Sequence, residues 1–163
     1  MDNAASVLQD QGTDRRKSQR VPEFTAGLLA HDGGAAVLNC LIRNIGRGGA
    51  QIRANAVSPI PDEAYLLDLK HRCAYRTRTV WRRGSLTGVK FESEYGLNNE
   101  LPAHIEFLRR LFVAAMLRQV DQLTAQGLSL AEALFKLGLA HETYLRWCDV
   151  FAARTTRRVA LRN

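Results

Sequence analysis

Apolar and polar positions alternate through the first half of this chain, then recur at helical spacing from about residue 100. The clearest alternation spans 73–82. Cys73, Tyr75, Thr77, Thr79 and Trp81 fall on one face and Arg76, Arg78 and Arg82 on the other, as a half-buried strand requires. Shorter strand-like runs occupy 24–29, 35–44, 50–53, 65–69 and 87–91. Turn signals separate them: His31-Asp32-Gly33-Gly34, a glycine cluster at 46–49, Pro59 and Pro61, and Arg83-Gly84-Ser85. Short strands punctuated in this way predict a barrel or sandwich over residues 23–96.

Beyond residue 100 the period changes. Leu101, Ile105, Leu108, Leu111, Phe112, Ala115, Leu117 and Val120 predict one long amphipathic helix ending near Gly127. Ser129 and Glu132 stand three apart, as in a capping box, and open a second helix that stops near Gly138. A third begins at His141 or Glu142 and runs past Phe151, with Tyr144, Leu145, Trp147, Cys148 and Phe151 as its apolar content. The fold class expected is α+β: a small antiparallel β-barrel followed by about three helices. Residues 1–22 form an arm, 23–96 the barrel, 97–158 the helical segment and 159–163 a basic tail.

Composition narrows the function. A net charge of +7 favours an anionic partner, whether nucleotide, nucleic acid or acidic membrane surface. No apolar run is long enough to span a membrane. The polar, acidic start lacks the pattern of a secretory signal, so a cytoplasmic protein is expected. Cys40, Cys73 and Cys148 are odd in number and far apart, which reads as buried apolar residues, not a disulfide frame. His31, His71, His104 and His141 share no ligand spacing, so no metal is expected. The acids form no pair suited to general acid/base work, and the 46–49 cluster lacks the lysine and hydroxyl residue that end a phosphate-binding loop. Neither enzyme activity nor a cofactor is expected.

Two short motifs carry the binding chemistry. The first is Asp14-Arg15-Arg16-Lys17-Ser18-Gln19-Arg20-Val21, with three arginines on the arm. The second is Arg43-Asn44-Ile45-Gly46-Arg47-Gly48-Gly49-Ala50. A guanidinium forks onto phosphate oxygens, stacks on a flat base and pairs bidentately with guanine. A glycine turn offers backbone N–H groups to an anion and admits a ligand closely. Asn44 can donate and accept at a base edge. Taken singly, each motif also reads as a solvated basic stretch or an ordinary hairpin turn.

In this order and spacing the motifs resemble those of the PilZ domain, a small β-barrel that binds the bacterial second messenger cyclic di-GMP. Its Arg-x-x-x-Arg is matched by Arg16 and Arg20. Its Asp/Asn-x-Ser-x-x-Gly is matched by Asn44 and Gly49, with Gly46 where the serine belongs. Trp81-Arg82-Arg83-Gly84 followed by Gly88-Val89-Lys90-Phe91 is similar to the closing hairpin of such barrels. The resemblance implies a ligand site made of Arg15, Arg16, Arg20, Asn44, Gly46, Arg47 and Gly49. The arm would order over the ligand and alter the helical segment. A lost serine hydroxyl removes one hydrogen bond, about 0.5–1.5 kcal/mol, so binding is expected to be weakened, not abolished. The alternative is a PilZ-like barrel that no longer binds nucleotide and acts as an adaptor through its helices.

Residues 127–147 resemble the helix-turn-helix of insertion-sequence transposases, with Ser129 capping the first helix, Leu137-Gly138-Leu139 as the turn and Thr143-Tyr144-Leu145-Arg146-Trp147 in the recognition helix. The resemblance implies duplex DNA as a partner, with Thr143 and Arg146 at bases or phosphates and Arg154, Arg157, Arg158 and Arg162 along the backbone. Leu134 is larger than usual at its position, and Glu142 is acidic. The other reading is a helical hairpin with Tyr144 and Trp147 as core, packed on the barrel, a partner protein or a second copy of the chain in a homodimer.

Overall fold

The computed structural model describes residues 21–54 and 60–160. Six antiparallel strands close into a barrel: β1 Val21–His31, β2 Ala36–Gly46, β3 Gly49–Arg53, β4 Glu63–Asp68, β5 Cys73–Arg83 and β6 Leu86–Gly96. The strand order around the barrel is β1-β2-β3-β6-β5-β4, and β4 returns to β1 through Gly27↔Asp68 to Ala30↔Tyr65. Three helices follow: α1 Phe107–Ala125, α2 Leu130–Lys136 and α3 His141–Ala160.

The barrel and helices of the sequence reading are therefore present, with shifted ends. β1 starts at Val21, so Val21 and Pro22, placed in the arm, belong to the barrel. β6 continues to Gly96, pairing with Cys73. α1 starts at Phe107, not near Leu101, because a short 3-10 turn at Ala103–Ile105 carries Leu101 and Ile105 into the core first. On β5 the alternation holds for Cys73, Tyr75 and Thr77, which are buried. A register shift between Thr79 and Trp81 then breaks it, and Trp81 lies exposed over Gly88.

Two hydrophobic clusters meet at the barrel wall. Leu29, Cys40, Ile42, Ala50, Ile52, Leu66 and Val89 fill the interior. Leu28, Ala30, Leu67 and Ala74 point the other way and are covered by Leu108, Phe112, Ala115 and Met116 of α1. β4 is apolar on both faces for this reason. Phe107 meets Tyr65 edge-on at 5.9 Å, and Phe112 meets Trp147 of α3 at 5.8 Å. Val120, Ala133, Leu134 and Leu139 form the core between the helices, with Tyr144 and Trp147 packed against them. The tail is thus seated on the barrel, and both aromatics serve as core.

Local signals fix the helix ends. The Ser129–Glu132 capping box is formed in both directions, and its hydrogen bonds hold the Glu132 carboxyl below its usual range. Gly138 closes α2 with φ 60°, while Leu139 N–H donates to Leu134 O as in a Schellman end. Arg72 adds a long-range tie by donating from its guanidinium to Gly138 O. The turn bearing Arg72 is organised by Asp68, whose fully buried carboxylate accepts from the N–H of Lys70 and of His71 at 3.0 and 3.1 Å.

Candidate functional site

The second motif forms the end of β2, a two-residue turn and the start of β3. Asn44 pairs with Gln51, Ile45 with Ala50 and Gly46 with Gly49, leaving Arg47 and Gly48 exposed at the tip. The ladder skips Arg43, since Ile42 pairs with Ile52 and Asn44 with Gln51. This bulge decides which way the motif faces. Ile42 and Ile45 both pack into the interior, so the two residues between them, Arg43 and Asn44, both lie on the outer surface.

Asn44 Nδ2 donates to Gln51 Oε1 at 2.6 Å, which fixes the amide across the β2–β3 ladder. The Arg43 guanidinium lies 5.6 Å over the Phe24 ring, a cation–π contact beside the turn. Phe24 is 67 % exposed, so its ring remains an open aromatic platform. Lys90 of β6, paired with Gly49, is exposed on the next strand. Among the described residues, Arg43, Arg47 and Lys90 make no ion pair, whereas Arg76 and Arg78 are compensated by Glu63 and Glu92. Positive charge without an acid partner therefore gathers at the turn. Thr25, next to Phe24, has a buried hydroxyl with no hydrogen-bond partner among the described residues.

Gly49 has a structural reason to be glycine. A Cβ there would lie 2.2 Å from Val89 O on the neighbouring strand, so β3 and β6 can approach only without one. Gly49→Ala is expected to cost about 1–3 kcal/mol as this contact is forced apart. Urea unfolding checks it, and unchanged stability would mean that the two strands do not cross so closely. None of Gly46, Gly48 and Gly49 has positive φ, so the turn itself does not demand glycine.

Of the site residues expected from sequence, Asn44, Gly46, Arg47 and Gly49 come together at this one turn. Arg15, Arg16 and Arg20 lie outside the described residues, as does Pro59. β1 brings the chain to the turn, because Val21 pairs with Ile45 and Pro22 with Asn44. Phe24 and the outward Arg43 were not among the expected site residues. The available signal was an aromatic at the start of β1 and a second arginine in the motif, but only the bulge puts them on one surface.

The other expected residues lie elsewhere. Thr143 and Arg146 border a groove between α3, α1 and the barrel, roughly 20 Å from the turn by the usual rise of about 3.3 Å per residue along β6. Arg154, Arg157 and Arg158 are on α3, with side chains outside the described residues; Arg162 also lies outside them. Burial, chiefly, pushes the Cys40 thiol up to about 12 and the Cys73 thiol to about 11, so both stay protonated at neutral pH. Among the described residues no three His, Cys, Asp or Glu side chains gather as a metal site, and no helix is long and apolar enough to cross a membrane. Comparison with family models gives no match, and comparison with curated proteins gives none either.

Proposed function

We propose that this chain is a cyclic di-GMP sensor of the PilZ type, in which the arginine arm and the β2–β3 turn take the ligand between them. The observation that carries the reading is the pairing of Val21 with Ile45. It delivers the covalent end of the arm to the turn holding the second motif. Arg20 precedes Val21 by one peptide bond in the sequence. The outward bulge, the exposed Phe24 ring and Arg43, Arg47 and Lys90, which have no acid partner among the described residues, add the chemistry a guanine dinucleotide needs. Arginines would fork onto phosphate and guanine edges, and the aromatic ring would offer a stacking face.

Isothermal titration of the whole chain with cyclic di-GMP, with GTP as control, tests the reading. Saturable selective binding at micromolar concentration is expected. Heats no larger than those with GTP would end it. Gly46→Ser, which supplies the missing hydroxyl, is expected to tighten binding by up to about tenfold, the worth of one hydrogen bond. A serine variant that binds no better would mean that position 46 does not reach the ligand.

A second reading, an adaptor that works through its helices without nucleotide, is favoured by one observation. Phe135 on α2 is 88 % exposed, and Leu130 on the same helix is exposed as well. A DNA-binding output through Thr143 and Arg146 is tested by anisotropy with duplex DNA at several salt concentrations, using the whole chain because α1 packs on the barrel. Binding that does not weaken with salt would dismiss it.

A further inference from the structure

The groove bordered by Thr143 and Arg146 has a floor and walls of its own. It lies where the β4–β5 turn and the β6–α1 connection meet α1 and α3, and it encloses about 490 Å³. Arg72, Arg109 and Arg146 converge on it from three separate elements, with Thr143, Asn98 and Trp147 between them. No carboxylate lines it among the described residues. Three guanidiniums in one small cleft repel one another, Arg109 alone having a carboxylate partner, Glu106, among the described residues, and an anion entering the cleft relieves that repulsion.

Two of the arginines are held in place and one is not. Arg109 donates to Leu97 O at 3.3 Å and to Asn99 O, and pairs with Glu106 at 3.2 Å. Arg72 donates to Gly138 O. These contacts give both residues structural work and leave Arg72 further N–H donors. Arg146 makes no ion pair among the described residues, is exposed, and stands one helical turn from Thr143 on the same face of α3. Nothing among the described residues gives it a structural task.

We propose that this groove is an anion site, separate from the β2–β3 turn, for a small molecule carrying two or more linked phosphate groups. Arg72 and Arg109 form its fixed side, and Arg146 closes from α3 with the Thr143 hydroxyl donating beside it. The volume falls within the range of small-molecule sites, roughly 300–1,000 Å³. The cleft is walled by the barrel, which suits a compact ligand better than a duplex reaching for the Thr143 face. Bound there, the anion bridges barrel and α3.

The test uses the whole chain with Trp81→Phe, which leaves Trp147 in the groove as the single indole reporter. Inorganic pyrophosphate is titrated at constant ionic strength, with sulfate as the control anion. A saturable change in Trp147 emission is expected, weakened about tenfold or more by Arg146→Gln and only partly by Arg146→Lys, which keeps the charge but loses the fork. Circular dichroism of both variants should match the parent, since Arg146 makes no ion pair among the described residues and is exposed. Emission that does not saturate, an equal response to sulfate, or equal affinity in Arg146→Gln would overturn the proposal. So would a loss caused by Arg16→Ala with Arg20→Ala in place of Arg146→Gln, which would move pyrophosphate to the arm. Duplex DNA displacing pyrophosphate at lower concentration would also overturn it and make the groove part of a nucleic-acid surface.

Discussion

Replacing Arg16 and Arg20 together by alanine is expected to weaken cyclic di-GMP binding by about a hundredfold or more. A hydrogen bond to a charged group contributes about 1.5–3 kcal/mol, so two such residues amount to roughly a hundredfold to ten-thousandfold in affinity. The loss should be far larger than that from any single change at the β2–β3 turn. The turn contributes an amide already engaged with Gln51 and backbone groups that no side-chain substitution removes. Stability should stay unchanged, because both residues precede β1, whose described pairing begins at Val21. Titration of the double variant beside the parent, with urea melts of each, separates the two effects. Equal affinity would detach the arm from the site and leave Arg43, Arg47 and Lys90 as its cations among the described residues. Reduced stability with reduced affinity would instead make the arginines part of the fold.

The reason for expecting so much of the arm comes from sequence and structure in different measure. The arginine spacing and the glycine cluster are visible in the sequence. So are most of the strands and the helix ends, because the turn residues, the Ser129–Glu132 pair, Gly127 and Gly138 act locally. Nothing local announces the bulge at Arg43. In a regular strand Arg43 and Asn44 would face opposite sides, and only the skipped pairing with β3 puts both outside. The closure of β4 onto β1 is similarly invisible, since it joins residues some forty positions apart, such as Gly27 and Asp68. Gly49 shows a third limit. The sequence offers a ligand's close approach as the reason for glycine there, whereas the carbonyl of Val89 already requires it. A motif position can match a binding family and still be set by packing.

Phe112→Ala is expected to cost about 3–5 kcal/mol and to uncouple the tail from the barrel. Phe112 is 1 % exposed, belongs to the cluster between α1 and the barrel wall, and meets the Trp147 ring edge-on. It therefore holds two interfaces at once, and an edge-to-face pair adds about 0.5–1.5 kcal/mol beyond its buried area. Unfolding of the parent should be one transition, whether followed by Trp147 emission, with Trp81 changed to Phe, or by far-ultraviolet dichroism. In the alanine variant the Trp147 signal should change at lower urea than the later part of the dichroism change, which includes the strands. Coincident transitions with a loss below about 1 kcal/mol would mean that Phe112 is not the joint. The outcome bears on function, because a ligand at the β2–β3 turn can bias the helices only through a state difference that the barrel wall transmits. With the joint cut, cyclic di-GMP affinity should remain near that of the parent while any ligand-induced change in Trp147 emission disappears. If that emission change survives in Phe112→Ala, the signal travels by another route, and the Arg72 tie to Gly138 is the next contact to cut.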